Sequence, residues 1–358
     1  MSGYSPTHSP NFGRSYIEPY EVKRMEPRIK ERFNETILAE AMRRYGIPEG
    51  HIHLLDGFES FMYEFDWNRG GAPESGILRI GHSLRRTPAL IQAEVDWINY
   101  LAEGGAGVAK AWLSERGSLV EAVEDGQGGQ FLVTAFAKAR GRHPGKAEWA
   151  PAFHETYGRL IGRLHALSRH YTPPHPACVR HHWNDDVNME VTAFLPQQDE
   201  RIAEQFRTLL AYLETLPVNP EGFGLIHQDA HGGNLFVDEA GRITLFDFDD
   251  CCYGYYIYDL AMVVFYAITN RTDMPAATRD FMGPFLHGYS LENQLDPAWL
   301  KEIPYFLKLR EIDLYAMIHR SIGPGPYEDD WVRRYMEGRK ARLDAEKPFV
   351  EFDFQSLG

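Results

Sequence analysis

Apolar residues recur along this chain with two different periods, and the change of period divides it. Between residues 31 and 45 (ERFNETILAEAMRRY) Phe33, Ile37, Ala41 and Tyr45 stand four apart, the spacing of one helix face, and Gly46 and Pro48 close the segment. From 52 to 80 the pattern is that of short strands, Ile52 to Leu55, Met62 to Trp67 and Ile77 to Ile80, with Gly57 and the Gly70-Gly71 pair in the turns. Residues 88–103 (PALIQAEVDWINYLAE) return to helical spacing, with Ile91, Val95, Ile98 and Leu101 on one face and Pro88 near the start. Strands are predicted again over 108–113, 118–123 and 130–136. Helices then dominate, over 151–168, 199–216, 260–269 and 303–320. The first thirty residues, with Pro6, Pro10, Gly13 and Pro27, sustain neither period and read as an arm. The predicted class is α+β and two-lobed: an arm over 1–30, a sheet-rich lobe with one main helix over 31–137, and a mainly helical lobe over 138–358.

One pair of strands interrupts the helical part. Leu235-Phe236-Val237 and Ile243-Thr244-Leu245-Phe246 flank the turn formers Asp238-Glu239-Ala240-Gly241, which predicts a β-hairpin. His227-Gln228-Asp229 precedes it, Asn234 stands at its entrance five positions after Asp229, and Asp247-Phe248-Asp249 follows its exit. A hairpin brings its ends together, so Asn234 and Asp247 offer two hard oxygen donors on one side, a set that suits Mg²⁺. Asp229 points at the same space without binding the metal, as a carboxylate that accepts or orients the proton of an attacking hydroxyl should. His227 reads as a structural residue that fixes the loop. A solvated turn explains any one of these residues about as well, since Asp, Asn and Gly are the ordinary turn formers. Their combination has the order and spacing of the kinase pattern H-R-D-x-x-x-x-N followed by D-F-G, which points to phosphoryl transfer.

HQDAHGGN at 227–234, LFDFDD at 245–250 and YDLA at 258–261 together resemble the aminoglycoside phosphotransferase and choline kinase group of kinase-like enzymes. The usual wording there is close to HGDLHPGN, IDFxD and YDLA; the match is specific in this core and weaker over most of the chain. The resemblance implies a protein-kinase-like fold, with Asp229 as catalytic base, Asn234 beside it in the catalytic loop, Asn234 and Asp247 as metal ligands, and Asp259 as a buried support of the loop. Gln228 stands where the family usually has Gly, and Gly232 where Pro is common.

The same template assigns the nucleotide side. The loop at 57–61, which contains Ser60, would cover the phosphates, although it has one glycine rather than a G-x-G-x-x-G run, so a plain turn competes with that reading. Arg79 in ILRI stands where a kinase has its phosphate-pairing lysine, and Glu94 is the helix carboxylate expected to pair with it; an unpaired strand arginine is the alternative. Phe136 and Ala137 end the last strand of the lobe, and the backbone from Ala137 to Gly141 would form the hinge that meets the adenine. The acceptor pocket of the family falls at His181-His182-Trp183-Asn184-Asp185-Asp186 and at the helix carrying Arg310, Glu311, Asp313 and His319. Trp183, Asp185 and Glu311 are the candidates drawn from these, with Asp249 as a further support. An aromatic and acidic mix suits an amine through charge and cation–π contact, and an ordinary polar surface is the competing reading of each residue. His165, among the apolar residues of 151–168, reads as a satisfied core histidine. His181-His182 lacks a second ligand pair for zinc.

Composition narrows the picture further. With 358 residues, 44% of them hydrophobic, the chain has material for a two-lobed enzyme with a core. A net charge of −14 argues against nucleic acid as the main partner and permits a cationic substrate. Cys178, Cys251 and Cys252 form neither a disulfide framework nor a metal set, which suits a reducing compartment. The most apolar run, 260–268, is too short to cross a bilayer, and the N-terminus shows no signal pattern, so the expected location is the cytoplasm, without a membrane partner. The expected activity is transfer of the γ-phosphate from ATP or GTP, with Mg²⁺, to a hydroxyl of a small molecule such as an aminoglycoside, choline, ethanolamine or homoserine, by a monomer or homodimer. A Ser/Thr protein kinase is the competing class, disfavoured because only about a dozen residues separate Asp247 from Asp259, too few for a usual activation segment. A non-catalytic pseudokinase would have lost the base or a metal ligand, and neither is lost.

Overall fold

The computed structural model describes residues 26–55, 59–67, 74–185 and 191–358. Most of the arm, Gly57 and Phe58, the Gly70-Gly71 turn and Asp186 lie outside them. The described end of the arm is helical: α1 (Pro27–Arg32) starts on a proline and buries Ile29. The helix predicted over 31–45 breaks, because Asn34 accepts the backbone N–H groups of Thr36 and Ile37 and so caps a new helix, α2 (Glu35–Tyr45), which Gly46 ends at φ 65°. The break frees Phe33 to stack on Phe61 with ring centroids 3.8 Å apart.

The first lobe is an antiparallel sheet of β1 (Ile52–Leu55), β2 (Phe61–Trp67), β3 (Glu74–His82), β4 (Ala111–Trp112), β5 (Glu121–Glu124) and β6 (Gln130–Ala137), with α3 (Pro88–Glu103) between β3 and β4. The order is β1-β2-β3-β6-β4, and β5 also pairs with β6. In β3 the alternation of a strand decides the site: Leu78 and Ile80 enter the core shared with Ile37, Ala41 and Tyr45 of α2, so Arg79 faces the other way, toward α3. The predicted strands over 108–113 and 118–123 shrink to the short β4 and β5.

The second lobe holds α4 (Pro151–Ser168), α5 (Val191–Phe194), α6 (Glu200–Leu213), β7 (Phe223–Ile226), β8 (Leu235–Val237), β9 (Ile243–Leu245), β10 (Cys252–Tyr255), α7 (Tyr256–Ile268), α8 (Met274–Ser290), α9 (Ile303–Ile322), α10 (Asp330–Met336) and α11 (Arg339–Asp344). Every residue of α7 is buried, so this helix, apolar all round, is the axis of the lobe. Helices α4 and α8 approach backbone to backbone: a methyl on Gly158 would lie 1.9 Å from the Phe285 carbonyl oxygen, and one on Gly288 2.0 Å from that of Glu155. Among the described residues the three cysteines are free, and no helix is long and apolar enough to cross a membrane.

The β8–β9 hairpin is held on one edge by the first lobe and on the other by the chain that joins the lobes. Leu245 N–H donates to Gly107 O at 2.8 Å and Ala109 N–H to Leu245 O at 3.0 Å, while Val237 N–H donates to Arg142 O at 2.8 Å and Arg142 N–H to Val237 O at 3.2 Å. Gly141, at φ 92°, makes the second crossing possible, since a side chain there would run into the Val237 carbonyl. The ends of the hairpin are therefore fixed at the floor of the cleft between the lobes.

Candidate active site

Strand β7 delivers the loop 227–234, and a buried carboxylate from the first turn of α7 sets its shape. Asp259 accepts the backbone N–H groups of His227 at 2.9 Å and Gln228 at 2.7 Å. Just beyond these two amides the chain turns sharply at Gln228, φ 68°, and Asp229 comes back so that its N–H meets the ring of His227. Asp259 takes a third donor, His165 Nε2 at 3.1 Å, whose Nδ1 receives the Tyr289 hydroxyl at 2.9 Å, itself bonded to Asn293. His165 is thus a satisfied core histidine, and what satisfies it is the support of the loop. His227 is fully buried between Nε2–H, donating to Phe246 O at 3.1 Å, and Nδ1, accepting Asp229 N–H at 3.3 Å. Those partners fix the neutral tautomer, and burial lowers its pKa in the same direction.

Asp229 lies at the open end of the loop. Its carboxylate meets Asn234 Nδ2 at 3.2 Å, His231 Nε2 at 3.3 Å and Arg310 Nη2 at 3.4 Å. Burial alone would raise its pKa, but His231 and Arg310 outweigh burial and hold it well below the usual carboxylate range. Asn234 also donates to the Asp229 carbonyl at 2.9 Å; both partners are acceptors, so the amide nitrogen faces Asp229 and the amide oxygen is the atom left to a cation.

Asp247 follows directly. Phe246 N–H donates to Asn234 O at 2.9 Å, closing the mouth of the hairpin, and Asp247 leaves it at φ 65° with its side chain exposed in the cleft. Protein mass around the carboxyl and the nearby Asp249, Asp250 and Asp229 push its pKa up to about 7, against the pull of Arg79; cleft water tempers the first of these causes, so carboxylate repulsion is the part a cation would relieve. Among the described residues no group of three His, Cys, Asp or Glu side chains is placed to hold a metal ion. A site of one amide oxygen and one carboxylate in a negative field fits an oxygen-preferring divalent cation that completes its shell with phosphate and water. Phe248, between these aspartates, is buried against Trp97 of α3 and His227, with ring centroids 5.4 and 4.4 Å away.

On the upper wall Arg79 forms a fork with Glu94, Nη1 to Oε1 at 2.7 Å and Nη2 to Oε2 at 2.8 Å, and its Nε reaches Thr134 Oγ1 at 3.2 Å. The Phe136 ring lies 5.0 Å from its guanidinium, so Phe136 supports the arginine. Ser60 is buried and lines a small closed nook with Arg79, Arg85 and Asp249. At the start of the expected hinge the Ala137 N–H donates to Lys110 O at 2.8 Å and the Lys138 N–H to Ser75 O at 3.0 Å, so neither of these two amides is a free donor to an adenine edge.

Two acceptor-pocket expectations fail. Trp183 is buried against Tyr255 and Phe306 in the core. Glu311 is fully buried and paired with Arg339 at 2.5 Å and with Lys308, because it sits on the inner face of α9. Asp249, expected as a support, is bonded to the arginines of the upper wall. The Asp185 carboxylate closes a local turn on the His182 N–H at 2.8 Å. One residue before Glu311, about 100° round α9, Arg310 bonds Asp313 at 2.6 Å, the Tyr266 hydroxyl at 2.5 Å and Asp229 at 3.4 Å.

Comparison with known proteins fits this geometry. A family model described as the phosphotransferase enzyme family, APH, matches residues 53–303. The amicoumacin kinase of Bacillus subtilis (strain 168) is 34% identical over 334 residues, covering 92% of this chain and 98% of that protein. The chain belongs to the phosphotransferase enzyme family. As a member it is a kinase, with the two-lobed kinase-like fold expected from its motifs. Among solved structures, amicoumacin kinase hAmiN in complex with AMP-PNP, Ca²⁺ and Ami superposes with a TM-score of 0.87 at 32% identity, covering 93% of this chain and all of that one. The microcompartment-associated aminopropanol kinase, at 23% identity and a TM-score of 0.67, covers 87% of this chain and 97% of its own and shares the fold.

Reading the sequence of this phosphotransferase missed several working residues. His231 lies inside the catalytic motif, where the spacing of two residues from Asp229 on a tight loop was the available signal. Tyr157, whose hydroxyl donates to the Ala230 carbonyl, sits mid-helix and left no signal at all. Arg85 and Arg86, beyond β3, form a doublet that charge counting alone could have singled out.

Proposed function

We propose that this kinase moves the γ-phosphate of ATP to a hydroxyl of a small molecule, with Asp229 as base, Asn234 and Asp247 holding a divalent cation, Mg²⁺, and Arg79 facing the phosphates. The observation that carries the reading is the convergence of Asp229 and Asn234 on one loop, with Asp247 one residue beyond the strand end that is bonded to Asn234. Asp229, kept ionised by His231 and Arg310, would accept a hydrogen bond from the acceptor hydroxyl and turn its lone pair toward the phosphorus. A bound divalent cation would neutralise the charge that develops on the phosphate oxygens. His227, Phe248 and Asp259 keep the loop in place and do no chemistry.

The amicoumacin kinases make amicoumacin the first acceptor to test, ahead of aminoglycosides, choline, ethanolamine and homoserine, and the AMP-PNP complex favours an adenine nucleotide. A small acceptor is also favoured over a protein because β10 runs straight into α7, leaving no activation segment. Solubility in the cytoplasm, where ATP is at hand, accords with this reading. Two variants test it. Asp229→Asn should lose turnover by about two orders of magnitude or more while still binding nucleotide, and Asp247→Ala should lose cation-dependent nucleotide binding itself. Asp229→Asn turning over at the wild-type rate would refute the assignment.

A further inference from the structure

The upper wall of the cleft holds more positive charge than Arg79 alone provides. Three nitrogen atoms of Arg79 are tied to Glu94 and Thr134, so it is a fixed point of charge. Arg85 and Arg86 follow in the turn between β3 and α3. Arg86 is buried and bonds Asp250 at 2.8 Å and Asp249 at 3.4 Å. From below, Arg180 holds the carbonyl oxygens of Cys251 at 2.7 Å and Asp249 at 2.6 Å, which pins the backbone of this acidic stretch. Arg85 is different. Its guanidinium joins Glu59, just before β2, to the Asp249 carboxylate, and its side chain is 19% exposed against 8–9% for Arg79 and Arg86.

Asp249 is therefore served by two arginines with a third, Arg79, at 4.0 Å, more than one carboxylate requires. Removing Arg85 from it would leave the pair with Arg86 intact. We propose that Arg85 is a second nucleotide-binding residue: on nucleotide entry its guanidinium leaves Glu59 and forks onto phosphate oxygens of the nucleoside triphosphate, while Arg86 keeps Asp249 in place. The planar fork matches phosphate oxygens as well as it matches carboxylates, and a more negative partner in the same nook displaces a weaker one. This rests on the kinase reading above, since it presumes that the phosphates lie beneath the segment before β2.

The test uses the full chain and direct binding of AMP-PNP with Mg²⁺ by calorimetry, beside steady-state kinetics. Arg85→Gln should weaken nucleotide binding and raise the nucleotide KM by about tenfold, leave the acceptor KM alone, and keep its melting temperature, with Arg85→Lys recovering part of the loss. Glu59→Gln, which frees Arg85, should bind nucleotide as well as or better than wild type. Unchanged or tighter nucleotide binding by Arg85→Gln overturns the proposal and makes Arg85 a clasp that closes the empty cleft; so does a loss in Glu59→Gln equal to that in Arg85→Gln. If wild type binds AMP-PNP but phosphorylates no acceptor, the proposed activity fails while the binding comparison still decides the role of Arg85.

Discussion

Gln228 and Gly232, the two places where the catalytic loop departs from the wording usual in its family, have separate physical explanations. Gln228 lies at φ 68°, a conformation glycine enters freely and a side chain enters at a cost of roughly 1 kcal/mol. The turn follows the two amides that Asp259 collects and brings Asp229 N–H back onto His227 Nδ1. Gln228→Gly should therefore fold with stability within about 1 kcal/mol of wild type, whereas Gln228→Val, branched at Cβ, should lose about 1–2 kcal/mol in urea unfolding; equal stabilities for the two variants would remove the backbone explanation. At Gly232 the backbone is ordinary and the obstacle is Trp149, whose ring would lie 2.8 Å from a Cβ there. Trp149 is packed on Phe153, His154 and Phe281 and has little room to yield. Gly232→Ala should thus cost about 1–3 kcal/mol in wild type and much less in a Trp149→Leu background, a coupling that a double-mutant cycle measures.

Among elements, the seam between α4 and α8 is held by glycines. Gly158, Gly162 and Gly288 let the carbonyls of one helix lie against the Cα atoms of the other. Gly158→Ala should destabilise by about 1–3 kcal/mol although alanine is the better helix former by about 1 kcal/mol, because the gain in propensity is smaller than the cost of parting the helices. Thermal melts decide it, and a stabilised variant would contradict the packing described. The same seam explains what could be read beforehand. Helix α4 carries Tyr157, Leu160, Ile161 and Leu164 at helical spacing and was legible to the residue, as was α3. Helix α8, with Gly283, Pro284 and Gly288, has the composition of a loop and becomes helical only through what it packs against. The hairpin and its flanking Asp229, Asn234 and Asp247 were legible because local turn chemistry and short spacing define them. The acceptor wall was not: Arg310 and Glu311 are neighbours on α9, and which of them faces the cleft depends on the rotation of that helix, which its weakly amphipathic sequence leaves open.

At the scale of the whole molecule, the supports of the site share one chemical property, a set of histidines held neutral inside the fold. Burial lowers the pKa of His165 and His227, against the opposing pull of Asp259, and it lowers those of His154 and His319 in the second lobe as well, all from an ordinary value of 6.5. In the unfolded chain these rings take up protons below about 6.5 while the native protein does not, so the unfolded state binds more protons and stability falls with falling pH in that window. The sign is opposite to that of a histidine in a salt bridge, which would stabilise the fold in acid. Carboxylates held below their usual range, such as Asp125 between Arg32 and His82, add their own loss only at lower pH, below about 4. Asp247, pushed up to about 7, works in the opposite direction over the same range, so the profile is read in Asp247→Asn: its melting temperature at constant ionic strength should be level from pH 8 to about 6.5, decline between about 6.5 and 5, and drop again below about 4. Because His165 and the His227 amide share one carboxylate, protection of the 227–234 amides from hydrogen exchange should weaken in the first of these windows, ahead of the sheet of the other lobe. A melting temperature of Asp247→Asn that stays level down to pH 5 would mean that these rings are protonated in the native protein, and the neutral tautomers that hold the catalytic loop would have to be reassigned.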